Sequence, residues 1–368
     1  MSVTALTYFG ILRSVTSWSK VARELLAALI RQGVTVNTFE RRGFLYDAAF
    51  ELPPELKNSG CTEFLDDLVI TFENPKVYHL LPEQSFNIGL LVYEFTQLPE
   101  FWVAMIERHL DLVFVPSSFC REVFIKAGVA PEKVKQLRYG FNPDYYYPRR
   151  DSAKADAPFT FLSAAAPHKR EGIELLLHSY QQAFSRSDPV RLLLKLSYLP
   201  GAKPKSFECQ DLPRLLKEFQ NSVELPRLEF ITTRLSEPEM GALYRLADAY
   251  VSLSRGEAFG LCFLEALASG LPVAGIPWSG QTELLNSENA ALILFREVAA
   301  CGEEYEPAAA AQLIAQPDLD SAAKALKEIY GRGRIVREAG RGLVGGANYW
   351  HWDCVAEEFR AIISSSFK

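Results

Sequence analysis

Glu257 and Glu265 are separated by seven residues in the stretch SRGEAFGLCFLEALASG, residues 254–270. The first precedes Phe259-Gly260-Leu261; the second sits inside the apolar run LCFLEALA. A carboxylate in an apolar helix is costly unless it has a partner. Two carboxylates eight positions apart on a helical rise stand roughly 12 Å apart. A helix start between them offers unpaired amides and the positive end of a dipole, which suits a phosphate. Gly260 lets a ligand approach the backbone closely. The chemistry this spacing suggests is a ligand with an anionic middle and a hydroxyl-bearing ring at each end. Carboxylates accept charge-assisted hydrogen bonds from paired hydroxyls, each worth about 1.5–3 kcal/mol. A nucleotide-diphosphate sugar has that layout.

The elements that must position these residues follow from periodicity. AYVSLS, residues 249–254, is a buried strand, RGEAFG the turn at its C-terminal end, and residues 259–269 the helix. Ligands of open α/β sheets bind at that edge. Along the chain, short apolar runs alternate with amphipathic segments, the pattern of parallel βαβ units. VTALTYFG is read as a first strand, SWSKVARELLAALIRQG as a helix stopped at Gly33, and VTVNTFE as the next strand. NIGLLVYEF, PEFWVAMIERHL, DLVFVPS, SFCREVFIKAG and VKQL continue the alternation. Residues 149–158, RRDSAKADAP, are read as a linker, after which the pattern restarts at FTFLSAAAP and GIELLLHSYQQAF. The expectation is two Rossmann-like domains facing each other across a cleft. The first covers 1–150 together with a terminal helix at 351–368, and the second covers 151–350.

Bulk properties exclude several classes. The 368 residues are too many for one ordinary core. Net charge is −6, and neither the first 150 residues nor the rest is net positive, so nucleic acid is not an expected partner. Six cysteines are scattered without a C-x-x-C pair, which argues against zinc or a disulfide framework and for a reducing compartment. The start MSVTALTYFG does not read as a signal peptide, and no spanning helix is expected. The expected location is cytoplasmic, with room for peripheral contact at the inner face of a membrane.

The segment EMGALYRLADAYVSLSRGEAFGLCFLEALASGLPVAG resembles the E-x7-E region of retaining GT-B glycosyltransferases, in particular the GT4 family. DLVFVPSSFCREVFIKAG and YGFNPDYYYP resemble the end of that family's first domain, and the likeness covers about residues 85–285. The resemblance implies a donor sugar held mostly by the second domain, with domain closure over it. Glu257 would touch the transferred sugar, Glu265 the ribose hydroxyls, and the amides of Phe259, Gly260 and Leu261 the diphosphate or sugar. Relatives usually place an Arg and a Lys after the second domain's first strand, the Lys directly before a glycine. Here Glu171 occupies that place, preceded by Lys169 and Arg170. The role of stabilising the leaving diphosphate is carried to that pair. Gly10 stands where relatives have a glycine-rich loop near the diphosphate. Arg13 and Trp18 beyond it, and Glu94 after NIGLLVY, are candidates for the acceptor.

Two motifs are set aside. GRGLVG, residues 340–345, matches G-x-G-x-x-G but lacks a preceding strand and room for a βαβ unit. Asp318-Leu319-Asp320 has the D-x-D form but lies in a proline-flanked loop. No metal and no other cofactor is expected. The resulting expectation is a retaining hexosyltransferase that uses a nucleotide-diphosphate sugar and a sugar or lipid-linked acceptor, in polysaccharide, glycolipid or glycoconjugate assembly. Two alternatives remain open: a non-catalytic nucleotide-sugar-binding subunit, and a phosphorylase or sugar-phosphate synthase on the same scaffold. The last would need a further anion site in the first domain, for which only Arg13 and Lys20 present themselves.

Overall fold

The computed structural model describes residues 3–43, 45–149, 157–197, 211–300, 312–333, 343 and 346–366. The chain divides into two compact units. One holds Met1–Gly140 and Asn348–Lys368; the other holds Phe141–Tyr198 and Ala202–Ala347. Of the stretch read as a linker, residues 150–156 lie outside the described residues.

The first unit runs β1 (Ala5–Gly10), α1 (Ser17–Arg31), β2 (Thr35–Glu40), β3 (Gly60–Cys61), β4 (Leu68–Thr71), β5 (Phe86–Leu90), α2 (Glu100–His109), β6 (Leu112–Val115), α3 (Ser118–Lys126) and β7 (Val134–Gln136). Its seven strands are ordered β3-β2-β1-β4-β5-β6-β7 and paired in parallel. β4 (LVIT) and β6 (LVFV) are buried along their whole length, as central strands covered on both faces must be. Thr16 caps α1 by accepting from the Ser19 amide, and Gly33, at φ +82°, ends it. Strand order reverses between β1 and β4, so the loops leaving those strands flank the crevice where such sheets take ligands.

The second unit contains β8 (Phe159–Ala165), α4 (Ile173–Ala183), β9 (Val190–Leu196), α5 (Leu212–Asn221), β10 (Arg227–Ile231), α6 (Glu237–Leu246), β11 (Ala249–Val251), α7 (Leu261–Ala268), β12 (Val273–Gly275), β13 (Ala290–Leu292), the antiparallel pair β14 (Phe295–Ala299) and β15 (Leu313–Pro317), and α8 (Leu319–Gly331). The main sheet is parallel, ordered β10-β9-β8-β11-β12-β13, and its order reverses between β8 and β11. Tyr180, Phe161, Tyr244 and Phe263 fill its core.

A short helix α9 (Gly346–Tyr349) leads into α10 (Trp352–Ser366), which packs against α1 of the first unit. Phe359 meets Phe114 at 4.9 Å between ring centroids. Arg31 pairs with Asp353 at 2.7 Å, and Arg138 pairs with Glu358. Gly140 leaves room for this helix, since a Cβ there would lie 2.9 Å from the Trp352 amide nitrogen. Among the described residues no helix is long and apolar enough to cross a membrane.

Candidate active site

At the β8/β11 reversal two helices begin side by side, and both begin on a left-handed glycine. Gly172 (φ +64°) starts α4 and Gly260 (φ +97°) starts α7, and a glycine N-cap has no side chain with which to cap its helix. A Cβ on Gly172 would meet the Leu253 carbonyl oxygen at 2.1 Å, so the α4 start is pressed onto the loop leaving β11. The first-turn amides of both helices are therefore left without an N-cap side chain.

That loop is tightly held. Ser254 Oγ donates to Glu257 Oε1 at 2.6 Å, and Arg170 Nη1 donates to the same oxygen at 3.2 Å. Arg170 also donates to the Gly256 carbonyl and, through Nη2, to Glu171 Oε1 at 2.8 Å. The Glu257 amide donates to Ser279 Oγ at 2.9 Å, and the Gly280 amide returns to the Glu257 carbonyl at 2.9 Å. Ser279 has φ +55°, a left-handed conformation that a serine holds only when its surroundings impose it. Gln281 is fully buried. Its Nε2 donates to the Ser254 carbonyl at 3.0 Å, and its Oε1 has no partner among the described residues.

Glu265 is 4% exposed on α7. Burial, then Glu265, then Glu257 push the Cys262 thiol up to about 12, so the two acids act on one point of the helix start. Burial raises the Tyr244 hydroxyl well above its ordinary range, and Cys262 and Glu265 add to the effect. Burial likewise raises Tyr250, with Glu171 and Glu257 among the contributors. A region this rich in carboxylates would repel a diphosphate were it not for Arg170 and the helix amides.

Adjacent in sequence, Lys169 and Arg170 part in space. Arg170 joins Glu257, whereas Lys169 lines a recess of about 120 Å³ with Gly172, Ile173, Glu174, Leu175, Arg255 and Gln316. Phe259 is buried at 2% exposure, Gly260 is buried, and Leu261 is half-buried at the start of α7.

The first unit holds the other named residues. Gly10 ends β1, and a Cβ there would lie 2.6 Å from the Tyr8 hydroxyl, so close packing against Tyr8 itself requires the glycine. Arg13 pairs with Glu40. Trp18 stacks on Phe72 at 5.3 Å with the rings 8° from parallel. Glu94 is half-buried past β5, close enough to Tyr139 to help burial and Cys120 raise that hydroxyl.

Residues 158–316 match the family described as Glycosyl transferases group 1. Over those residues the chain is similar to that family. Within the matched residues the loop 254–260 and the start of α7 lie at the sheet's reversal. Comparison with curated proteins finds D-inositol 3-phosphate glycosyltransferase 1 of Catenulispora acidiphila, 27% identical over 195 residues, which is 51% of this chain and 44% of that protein. The chain thus spans under half the length of the curated relatives it matches first. Among solved structures, sucrose-phosphate synthase from Thermosynechococcus elongatus superposes with a TM-score of 0.72 at 18% identity, covering 99% of each chain. Anabaena HepE in complex with UDP-glucose gives 0.69 at 14% identity, covering 98% of this chain and 99% of that one. The fold is GT-B, two Rossmann-like units.

The remaining motifs of the chain have plain structural roles or lie outside the described residues. Asp318 caps α8 by accepting from the Ser321 amide at 2.8 Å. Asp318→Ala is expected to cost about 1 kcal/mol of stability through loss of that cap, read by denaturant unfolding, with nucleotide affinity unchanged. GRGLVG lies outside the described residues except for Leu343, and so do Cys209 and Cys301. Cys61, Cys120, Cys262 and Cys354 are free thiols. Among the described residues no cluster of His, Cys, Asp or Glu is arranged to hold a metal ion.

Ser254, Ser279 and Gln281 escaped the sequence reading. The Ser279-Gly280 pair after β12 was a hint of a turn there, and nothing marked Ser254.

Proposed function

We propose that the chain is a retaining, GT4-like glycosyltransferase that moves a hexosyl unit from a nucleotide-diphosphate sugar to an acceptor hydroxyl. The observation that carries this reading is the pair of uncapped, glycine-started helices α4 and α7 at the β8/β11 reversal, with Glu257, Glu265 and Arg170 set around α7. The diphosphate would lie on the amides of Phe259, Gly260 and Leu261. Glu265 would take the ribose hydroxyls and Glu257 the transferred sugar. In the reaction the bond from the sugar's anomeric carbon to the phosphate oxygen breaks, and a bond to the acceptor oxygen forms on the same face. The acceptor proton passes to the departing diphosphate. Arg170 would hold Glu257 in place and offset charge on the leaving group. Lys169, turned into its recess beside Arg255, would contribute from a greater distance. The relative HepE, solved with UDP-glucose, and the curated relatives named as glycosyltransferases and synthases support the donor class.

A second reading is a nucleotide-sugar-binding subunit without transfer activity. It is favoured by Glu171 standing before Gly172 and by Arg170 already spanning two carboxylates. Thermal stabilisation by UDP, GDP, ADP and their sugars tests both readings. Stabilisation by one nucleotide series, with slow release of the nucleoside diphosphate from its sugar, is expected. Stabilisation without release in the presence of any acceptor favours the subunit. No stabilisation by any of them ends both readings.

A further inference from the structure

The strand-order reversals of the two units are finished in opposite ways. In the second unit the helices at the reversal start without capping side chains. In the first unit the loop leaving β1 turns three successive amides onto two carboxylates. Ile11 donates to Glu73 Oε1 at 3.1 Å, and Leu12 and Arg13 donate to Glu40 Oε1 at 3.1 and 2.7 Å. The other oxygens carry cations. Arg13 pairs with Glu40 Oε2, and Arg41 Nη2 reaches Glu73 Oε2 at 2.8 Å. Glu73 is 5% exposed. Consecutive amides flanked by guanidinium groups form an anion-binding concavity. Here the chain fills that concavity with its own acids.

A phosphate arriving at this loop would have to displace two largely buried carboxylates from amides and arginines alike, leaving buried charge uncompensated. The start of α1 is closed as well, because Thr16 accepts from Ser19. What remains at the same reversal is Trp18, half-buried in the first turn of α1 and stacked on Phe72, the residue that follows β4. An indole there suits the C–H face of a sugar ring and brings no positive charge to a phosphate.

We propose that the β1/β4 reversal is a subsite for an uncharged, hydroxyl-rich ring, with Trp18 as its platform and phosphate-bearing compounds excluded by Glu40 and Glu73. Calling that ring the acceptor rests on the transferase reading above; the binding preference does not. If the acceptor binds here, the sugar-phosphate synthase alternative loses Arg13 from the anion site it requires in this unit, since Arg13 is committed to Glu40.

The test is amide hydrogen exchange of residues 11–16 in the full chain, titrated with sodium phosphate and with a panel of neutral methyl hexosides and their 6-phosphates. A neutral hexoside is expected to slow exchange about tenfold at about ten times its dissociation constant, and to fail in Trp18→Ala. Phosphate is expected to leave the segment unchanged in the wild type and to protect it in the Glu40→Gln/Glu73→Gln variant. Phosphate protection in the wild type overturns the proposal. So does a double variant that melts like the wild type yet gains no phosphate protection. Equal protection by hexosides and their 6-phosphates, or protection by neither, also overturns it. The nucleotide experiment reads the second unit, so its failure alongside success here would remove the transferase reading and leave the subsite.

Discussion

Arg170→Ala is expected to lower kcat about a hundredfold to a thousandfold while leaving the protein folded. One guanidinium joins the Gly256 carbonyl, Glu257 and Glu171, and so ties the turn before α4 to the loop before α7. Its removal leaves two carboxylates near the donor phosphates with no cation between them, and it frees Glu257 from one of its two side-chain donors. Losing one preorganised electrostatic contact typically costs a factor of about 10²–10³ in kcat. Arg170→Lys is expected to recover little, because an ammonium cannot serve three acceptors in the plane of a fork. Steady-state release of nucleoside diphosphate would measure both variants. A kcat within about threefold of wild type for Arg170→Ala would show that the leaving group is stabilised elsewhere, with Lys169 the first candidate.

Gly280→Ala is expected to destabilise the second unit by about 3 kcal/mol and to abolish most activity in the fraction that folds. A Cβ at Gly280 would lie 2.0 Å from the Ala258 carbonyl oxygen and 2.7 Å from the Phe259 nitrogen. Both neighbours are backbone, so relief requires the 279–283 turn to move away from the 256–260 loop. Overpacking of this kind costs about 1–3 kcal/mol, and more where backbone must shift. The same shift would break the bond from the Gly280 amide to Glu257 and displace the start of α7, where an error of about 1 Å is worth about a hundredfold in rate. Denaturant unfolding and activity at a permissive temperature would separate the two effects. A variant as stable as wild type would mean that the turn and loop do not lock together.

Much of the fold was legible because each βαβ step carries its own signal. A buried run such as LVFV, an amphipathic helix such as α1 and a terminating Gly33 can each be read without knowledge of the others. β4 was harder. Its four residues lie between Asp66-Asp67 and Glu73-Asn74-Pro75, and so short a run in acidic surroundings looks like loop until the sheet closes around it. The β14–β15 hairpin and α8 were missed for a similar reason, since they follow the last strong βα unit.

At the site, Glu257 and Glu265 stood out because a charge inside an apolar stretch is visible in one dimension. The partners of Glu257 were not visible. Lys169 and Arg170 form one short turn of 3₁₀ helix with Glu171, in which successive side chains point about 120° apart. Adjacency therefore says nothing about which cation reaches Glu257. Glu40 ends β2 and Glu73 lies two residues past β4, and they meet the β1 loop only because β2 and β4 flank β1 in the sheet. No local pattern marks such a meeting.

The measurement that bears most directly on the site is the dissociation constant of the preferred nucleoside diphosphate for Glu265→Ala and for wild type, by calorimetry. Glu265 is buried on the helix whose first amides would hold the phosphates, and a charge-assisted bond to the ribose is worth about 1.5–3 kcal/mol. Affinity is predicted to fall about tenfold to a hundredfold in a variant that retains its fold by circular dichroism. Equal affinity in the two proteins would contradict the placement of the nucleotide at the β11–α7 junction.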